Sequence, residues 1–272
     1  LSTVVEACHA LRVSATFAGP MDFGADDDEI SVTDFRSAAD LDPNYFTKEG
    51  YGALIHRWGA DVPVQLSTPV RRIRWDGPGV AVETDRGTLR AKAAIVTVST
   101  GVLAFEDIAF TPDLPETHQE AIFDLPMGLL TKVPLRIDGT RLGLQPFDTD
   151  LMVGFVGGDF AWEMEAAGRA AAVDFMTDRL ADMFGSDARK AVGHGAMTNW
   201  GGERHVRGAY AAARPGKAHA RSVLAEPVGD RIWFAGEALA GGLKQTAAGA
   251  VQPGVGDEGR ALPRRFEPEN DT

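Results

Sequence analysis

The sequence predicts a layered α/β fold, in which short buried strands alternate with helices. Two segments, Ala93–Val98 and Ile232–Ala235, are continuously apolar, which is typical of strands covered on both faces. Glu163–Phe184 carries apolar side chains at helical spacing and is followed by Gly185, a residue type that often ends helices. Because strands of this kind need helices on both sides of their sheet, the combination indicates the α/β class.

The other predicted elements follow in chain order. Residues 1–19 are compatible with a helix, and the acidic stretch Asp22–Asp42 favours a loop that contains a short helix. A turn that begins at Thr47 leads into a predicted helix at Tyr51–Trp58. The remaining strand-like segments are Val62–Leu66, Val70–Trp75, Val80–Thr84, Thr88–Arg90, Leu129–Ile137 and Leu151–Val156.

Composition restricts the classes of partner. With 272 residues, of which 44% are hydrophobic, the chain can form one large core or two smaller ones. Its formal charge of −12 argues against nucleic acid or an anionic membrane as a partner. No apolar run approaches the ~18 residues that a membrane span needs. Cys8 is the single cysteine, which excludes an internal disulfide and predicts a reducing, cytoplasmic location.

Two further expectations concern processing and metals. Residues 1–19 lack the basic start, apolar centre and cleavage site of a secretory signal, and Leu1 as the first residue suggests a piece of a longer protein. The histidines show no metal-ligand spacing, so we predict that no metal is bound. They include His56, His118, His194, His205 and His219.

The segment from Ile232 to Ala250 has the pattern of a ligand site. An apolar strand ends in Gly236 and Glu237, and a Gly-rich loop then leads to Thr246 and the small residues that follow it. Gly236 lets a ligand approach the backbone, and Glu237 places an acceptor at the strand edge where open α/β sheets bind ligands. A helix that begins after Thr246 would direct its positive end at an electron-rich ring. The pattern suits a bound flavin, although a buried strand, a loop and a helix without ligand explain this segment equally well on its own.

Six segments in consistent order form a composite motif. They are Glu49–Ile55, Leu66–Ile73 with Val80–Thr84, Ala94–Leu103, Leu125–Val133, Thr198–Trp200 with Gly208–Tyr210, and Arg231–Ala250. Together they resemble the flavin-dependent amine oxidases, the family of monoamine oxidases, polyamine oxidases and histone-lysine demethylases. The resemblance implies an oxidoreductase in which FAD oxidises the C–N bond of a small-molecule amine to an imine, with O2 as electron acceptor and H2O2 as product.

The resemblance also assigns catalytic residues. Lys132 would lie near the flavin N5 and hold a water, whereas the residue alone reads as a solvated strand lysine. Tyr210 and Thr246 would flank the amine at the flavin face; a buried core tyrosine is the alternative for Tyr210. Thr246 stands where animal monoamine oxidases have a second tyrosine, which favours the polyamine-oxidase-like or bacterial branch. The acidic chain would attract a cationic amine.

Cofactor contacts are assigned in the same way. Glu237 would accept from hydroxyls of the flavin's sugar-alcohol chain, next to Gly236, and the backbone of Val70 would meet the adenine. Trp200 would pack beside the isoalloxazine, with an ordinary core tryptophan as the alternative. Ala247 would begin the helix beneath the ring. Monoamine oxidases of animals attach flavin through a cysteine just before the cage tyrosine; Ala209 stands at that position, so FAD is expected to be noncovalent.

Three features depart from the family pattern. The opening Gly-x-Gly-x-x-Gly unit that cradles the FAD pyrophosphate is missing, and the match at Gly254–Gly259 has Asp257 and Glu258 where phosphate would lie. Pro253 interrupts the helix that follows Thr246, so this helix should end early and residues 253–272 are predicted to be a disordered tail. The link from Ile137 to Leu151 is short, as if part of the substrate domain were absent.

These features predict an interleaved organisation. Residues 47–100 and 200–252 would form part of a Rossmann-like FAD-binding domain, and residues 1–46 and 101–199 a substrate domain of mixed sheet and helices. The chain would then need its nucleotide-binding segment, or pair as a homo-oligomer or with a complementing chain. The alternative is a catalytically silent, truncated member that acts as an interaction protein. A sister flavoprotein group, such as the carotenoid desaturases or protoporphyrinogen oxidases, is disfavoured because those groups need no lysine at the position of Lys132.

Overall fold

Strands of the computed structural model, which describes residues 17–39, 47–139 and 149–251, form four small sheets within those ranges. The strands are β1 Val70–Arg74, β2 Val80–Thr84, β3 Gly87–Ala91, β4 Ala94–Val96, β5 Ala109–Thr111, β6 Met127–Gly128, β7 Leu130–Ile137, β8 Leu151–Gly157, β9 Val192–Gly195, β10 Tyr210–Ala211 and β11 Ile232–Phe234. The helices are Val32–Arg36, Tyr51–Trp58, Thr100–Ala104, Glu116–Asp124, Asp159–Ala167, Arg169–Phe184, Ala188–Ala191, Ala220–Ala225 and Ala247–Val251, with a π-helical turn at Gly19–Phe23 and 3₁₀ turns at Glu237–Leu239 and Gly241–Leu243. The arrangement confirms the predicted mixed α/β class.

A four-stranded sheet is built on a meander, in the order β3-β2-β1-β5. β2 is antiparallel to both β1 and β3, whereas β5 is parallel to β1. The turn between β2 and β3 is closed by Thr84, whose hydroxyl accepts from the Arg86 N–H and donates to the Gly87 carbonyl. Ile73 and Val80 are buried, so one face of the meander contributes to the core. The three predicted strands of this region are confirmed.

The parallel pair β4–β11 matches one strand prediction and contradicts part of another. Ile232 and Phe234 are buried, as the apolar pattern of β11 predicts. β4 is also a strand, but the prediction that both of its faces are covered is wrong, because Ile95 is 41% exposed. Within the described ranges β11 is the only strand that pairs with β4, so the outer face of this two-stranded sheet has no neighbouring layer over Ile95.

A second unit of structure is the antiparallel sheet β8-β7-β9 with the helices Asp159–Ala167 and Arg169–Phe184 packed on it. The prediction of one helix over Glu163–Phe184 is wrong, because Gly168 separates two helices with φ 88° and ψ 170°. This conformation is essentially restricted to glycine, so the chain changes direction where side-chain periodicity alone predicts continuity.

Residues 62–66 contradict their strand prediction as well. Val62, Val64 and Leu66 are 57%, 64% and 76% exposed, and no strand forms here among the described residues. Their alternating pattern needs a sheet to join, and the helix Tyr51–Trp58 just before them, which is confirmed, has no buried residue. The predicted helix at 1–19 lies almost entirely outside the described residues, as do the tail at 253–272 and most of the link before Leu151.

Two hydrophobic clusters account for most buried side chains. The larger one includes residues of the meander, β4, β11 and the helices Thr100–Ala104, Glu116–Asp124 and Ala220–Ala225. The second lies between β7, β8 and the two helices at 159–184. Since Met127 packs against the first cluster and Leu129 belongs to the second, the segment around β6 joins the two. The division into FAD-binding and substrate domains stays a prediction.

Candidate active site

The candidate site begins where β6 meets β10. Tyr210 pairs with Gly128 and Ala211 with Met127 in antiparallel register, and further hydrogen bonds extend the pairing on both sides. Gly208 makes this approach possible: it has φ 146°, and a Cβ there would lie 2.4 Å from the Cβ of Met127. The pairing places Tyr210 beside the short segment that joins the two hydrophobic clusters.

Glu237 connects two parts of the site through its carboxylate. Oε1 accepts from the Ala211 N–H at 3.0 Å, and Oε2 accepts from the Gln245 N–H at 3.1 Å. Burial raises the pKa of Glu237, while these two amides and the charge of Arg221 act in the opposite direction. The carboxylate therefore holds together the residues adjoining Tyr210 and Thr246, which the sequence placed in one site.

Tyr210 is half-buried, which is intermediate between the predicted cage wall and a core tyrosine. Burial raises the pKa of Tyr210 to about 12, and the negative charges of Asp22 and Glu237 add to the effect. The phenol is therefore neutral at physiological pH and presents a ring and one hydroxyl.

Lys132 is held on β7 by its own strand. Its Nζ donates to the Leu130 carbonyl at 2.9 Å and lies 6.0 Å from the centroid of the Phe155 ring. Burial lowers the pKa of Lys132. Lys132 is thus half-buried and bonded to backbone rather than a fully solvated strand lysine.

The Trp200 segment is attached to the same strand. The Lys132 N–H donates to Thr198 Oγ1 at 2.9 Å, and the Thr198 N–H donates to the Lys132 carbonyl at 3.0 Å. The Gly208 N–H donates to the Trp200 carbonyl, which links this segment to the strand of Tyr210. Trp200 is 44% exposed, so its alternative interpretation as an ordinary core residue is wrong.

Thr246 begins the last described helix, as predicted. Its Oγ1 accepts from the Gly249 N–H at 2.9 Å and donates to the Leu243 carbonyl at 2.7 Å, which is the arrangement of a helix cap. Ala247 is the first helical residue. Gly236 lies between β11 and Glu237, and Val70 is the half-buried first residue of β1; the cofactor contacts predicted for these positions stay predictions.

Three buried charged residues form a network that sequence reasoning missed. Asp34, Lys244 and Arg221 are 1%, 3% and 9% exposed. Both carboxylate oxygens of Asp34 accept from Arg221, each at 2.7 Å, and Lys244 Nζ lies 3.8 Å from Asp34 Oδ1. Burial would raise the pKa of Asp34, but the hydrogen bonds and charge of Arg221 outweigh it and the pKa is lowered. A signal was present in Lys244, a charge inside an otherwise small and apolar loop, but its partners are distant in sequence.

A cavity of about 360 Å³ opens beside β6 and has an acidic wall. Met127 and Trp162 line it together with Asp28, Glu29 and Asp159, and Arg214 adds one positive charge against these three carboxylates. Burial raises the pKa of Glu29, and the charge of Asp159 raises it further. A cavity of this kind is suited to a ligand that carries positive charge.

The described residues fit one part of an FAD and lack another. A carboxylate has about four acceptor positions, and the two used by Glu237 leave capacity for hydroxyl groups at the end of β11. A glycine-rich cradle between a strand and a helix, suited to a pyrophosphate, does not occur in the described ranges, and the Gly254–Gly259 match lies outside them.

No helix in the described parts of the chain is long and apolar enough to cross a membrane. The same residues contain no group of three or more His, Cys, Asp or Glu side chains that could hold a metal ion.

Comparison with known proteins gives consistent matches. The sequence pattern of the flavin containing amine oxidoreductases matches residues 14–143 and 138–256. Lysine-specific histone demethylase 1 homolog 1 of Oryza sativa subsp. japonica is 30% identical over 238 residues, which is 77% of this chain and 28% of that protein. Polyamine oxidase 4 of the same organism is 29% identical over 257 residues, which is 86% of this chain and 52% of that protein.

Two solved structures share the fold. Cyclohexylamine oxidase from Brevibacterium oxydans IH-35A superposes with a TM-score of 0.65 at 22% identity, over 88% of this chain and 61% of that one. A putrescine oxidase bound to putrescine gives a TM-score of 0.61 at 23% identity, over 74% of this chain and 50% of that one. The chain thus spans less than two thirds of each of these four proteins.

Proposed function

The chain belongs to the family of flavin containing amine oxidoreductases, and from this premise we propose that it holds FAD noncovalently and oxidises a small-molecule amine. Bound FAD would supply an acceptor for a hydride equivalent from the carbon next to the amine; the amine would also lose a proton from nitrogen to become an imine, and O2 would take up the two electrons and two protons as H2O2. Noncovalent binding is supported by Ala209, which stands just before Tyr210 and offers no thiol.

One observation carries the proposal: a single carboxylate joins the strand of Tyr210 to the loop before Thr246. Glu237 bonds to the backbone on either side of the space between the strand of Tyr210 and the loop before Thr246. Its remaining lone pairs would accept from hydroxyls of the cofactor. Gly236 adds no side chain at that point, so the cofactor could approach the backbone.

Lys132 and Tyr210 would serve the amine. One N–H of the Lys132 ammonium is used by Leu130, which leaves two donors for a water. Because burial lowers the pKa of Lys132, this amine gives up a proton more readily than an exposed lysine and could exchange one with that water. The neutral ring of Tyr210 would form one wall and exclude solvent from the reacting carbon.

The acidic cavity beside β6 supports a cationic amine as the substrate class. Asp28, Glu29 and Asp159 supply negative charge close to Trp162, whose ring can also attract a cation. Cyclohexylamine and putrescine, named in the titles of the similar structures, are suitable first probes.

We also propose that the chain acts together with a nucleotide-binding unit that supplies the pyrophosphate cradle. This proposal is supported by the share of its relatives that the chain spans and by the exposed surface beside the cofactor half-site. Ile95 on β4, the strand that pairs with β11, is 41% exposed and presents an apolar side chain to solvent. A βαβ unit placed beside β4 would extend the parallel pair and cover that surface.

The first test is the visible absorption spectrum of the purified chain before and after incubation with FAD and dialysis. We expect retained flavin bands when the nucleotide-binding unit is added, and a weaker affinity, by about tenfold or more, for Glu237→Gln, because its amide NH2 would face a backbone donor. Glu163→Gln, an exposed glutamate on the helix Asp159–Ala167, is the matched control.

A second test follows amine-dependent O2 consumption by the FAD-loaded protein. Lys132→Met should retain FAD but lose roughly 10²-fold in rate, the order expected when a proton-handling group is removed. Lys190→Met changes an exposed lysine and should leave the rate unchanged. A chain that takes up no FAD, either alone or with an added nucleotide-binding unit, would instead be the silent family member.

A further inference from the structure

We propose that the buried Asp34–Arg221 pair, with Lys244, is the positioning device of the candidate site: it fixes the strand of Tyr210 against the loop of Glu237. This inference rests on the proposed function for its meaning, since it assigns residues outside the cofactor and substrate contacts to the same site. Its geometry is independent of any bound group.

Arg221 bridges the two segments that carry the site. Its Nη2 donates to the Ala211 carbonyl at 2.8 Å, and its Nη1 donates to the Ala238 carbonyl at 2.6 Å. The Ala211 N–H donates to Glu237. Both backbone polar groups of Ala211 are therefore bonded: its N–H donates to Glu237, and its carbonyl accepts from Arg221.

Asp34 fixes the orientation of the Arg221 guanidinium. In addition to its two bonds from Arg221, the carboxylate accepts from the Ala213 N–H at 3.0 Å. The Ser31 N–H donates to the Ala213 carbonyl at 2.8 Å, and Ser31 Oγ accepts from the Asp34 N–H and begins the helix Val32–Arg36. The segment 31–36 is thus attached to the strand of Tyr210 by backbone and side chain together.

Lys244 completes this positioning device, the brace formed by Asp34, Arg221 and Lys244, on the side of the loop that follows Glu237. Its Nζ donates to Ser37 Oγ at 2.7 Å, and the Ala39 N–H donates to the Gly242 carbonyl at 2.7 Å. The Gln245 N–H that follows is the second donor to Glu237. Residues 31–39 are therefore bonded both to the strand and to the loop that Glu237 connects.

The chemistry of these residues favours positioning over simple stabilisation. A buried ion pair contributes little net stability compared with apolar packing, because both charges lose their hydration. A two-pronged guanidinium–carboxylate pair does impose direction, since its donors lie in one plane at fixed angles. The charge of Arg221 also lowers the pKa of the second carboxylate, that of Glu237, against the effect of burial.

The test compares Arg221→Lys with Arg221→Met in the full chain. Lysine retains the charge but loses the planar fork, so we expect a folded protein with a loosened strand, about tenfold weaker FAD binding, and a phenol of Tyr210 that ionises at lower pH than in the wild type. Arg221→Met should weaken FAD binding further, but its lost positive charge acts to raise the pKa of Tyr210, so the titration is compared for the charge-conserving Arg221→Lys only. Arg71→Lys loses an equivalent two-pronged bond to Asp85 on the exposed meander and is the matched control.

The titration of Tyr210 needs no cofactor, which separates this inference from the proposed function. A wild type that binds no FAD would defeat the proposed function while the titration still tests the brace. If Arg221→Lys lowers the unfolding midpoint but leaves the Tyr210 titration and FAD affinity as in the wild type, the pair is only structural and the inference fails. Should the Arg221 variants not fold, Ser37→Ala, which removes the hydroxyl that Lys244 contacts and conserves every charge, must show the same shift in smaller degree.

Discussion

The raised pKa of Tyr210 leads to a prediction at the scale of a single residue. Its pKa in the folded protein is about 12, above the ordinary 10.0. Between these two pKa values the phenol of Tyr210 loses its proton in the unfolded chain and keeps it in the folded chain. The contribution of Tyr210 to the free energy of unfolding is therefore complete below pH ~10 and falls as the pH rises towards 12. Two pKa units correspond to about 2.7 kcal/mol at most. An absorbance titration of the phenolate after rapid pH jumps should show one late-ionising tyrosine.

Two substitutions test whether Tyr210 is the tyrosine that ionises at high pH. Tyr210→Phe should abolish this late ionisation, whereas Tyr51→Phe removes an exposed phenol and should leave it in place. All three tyrosines of the chain ionising together would contradict the packing described for Tyr210.

Sequence motifs located some site residues and could not locate others. Glu237 and Thr246 belong to one short segment whose strand, loop and helix start are local patterns, and their places at the end of β11 and at a helix cap are confirmed. Asp34 and Arg221 have no such pattern. The residue type does not show whether a charged side chain is exposed or buried, and only the three-dimensional fold brings Asp34 and Arg221 together.

Glycines at two helices give opposite predictions at the scale of elements. Gly168 has φ 88° and ψ 170°, and a Cβ there would meet nothing within 4 Å. Gly168→Ala should therefore destabilise through backbone strain alone, by about 1–3 kcal/mol. Gly52 lies inside the helix Tyr51–Trp58 with equally open space around it.

Gly52→Ala is the matched comparison, and its expected change in the free energy of unfolding has the opposite sign. Alanine favours the helix and restricts the unfolded chain, so a gain of about 0.5–1 kcal/mol is expected. Urea unfolding of both variants measures the difference. A gain in stability for Gly168→Ala would show that the two helices readily merge into one.

The sequence predicted strands correctly where the apolar face of the strand packs on a hydrophobic core. It failed where a strand needs another segment to pair with and none is present among the described residues. The alternation of β2 and the apolar run of β11 correspond to real burial of Val80 and Ile232. Val62–Leu66 has a similar pattern, yet its side chains are exposed. A pattern records which faces are apolar, but it does not record whether another segment lies there to cover them.

At the scale of the whole molecule, the uncovered surface predicts association. The helix Tyr51–Trp58 exposes Tyr51, Leu54, Ile55 and Trp58, which recur at helical spacing and form one apolar face. Contiguous apolar surface of this kind is typical of interfaces. We expect concentration-dependent self-association in sedimentation velocity, reduced by about tenfold or more in Trp58→Glu, because a charge would then have to be desolvated.

Met183→Glu tests whether any exposed apolar residue has this effect. Met183 is 70% exposed on the helix Arg169–Phe184, away from residues 51–66 in sequence. Equal loss of association in both variants, or a wild type that is monomeric at every concentration, would argue against the helix face as the contact.

The Asp34–Arg221 contact also has a consequence for the order of folding. It joins residues 187 positions apart, and the Asp34–Ala213 bond spans 179. Closing such long loops costs chain entropy before any contact repays it, so the meander and the β7–β8 hairpin should form earlier. During synthesis the brace cannot close until Arg221 has left the ribosome. Uptake of cofactor would then mark the completion of folding, and a chain interrupted before that residue would remain colourless.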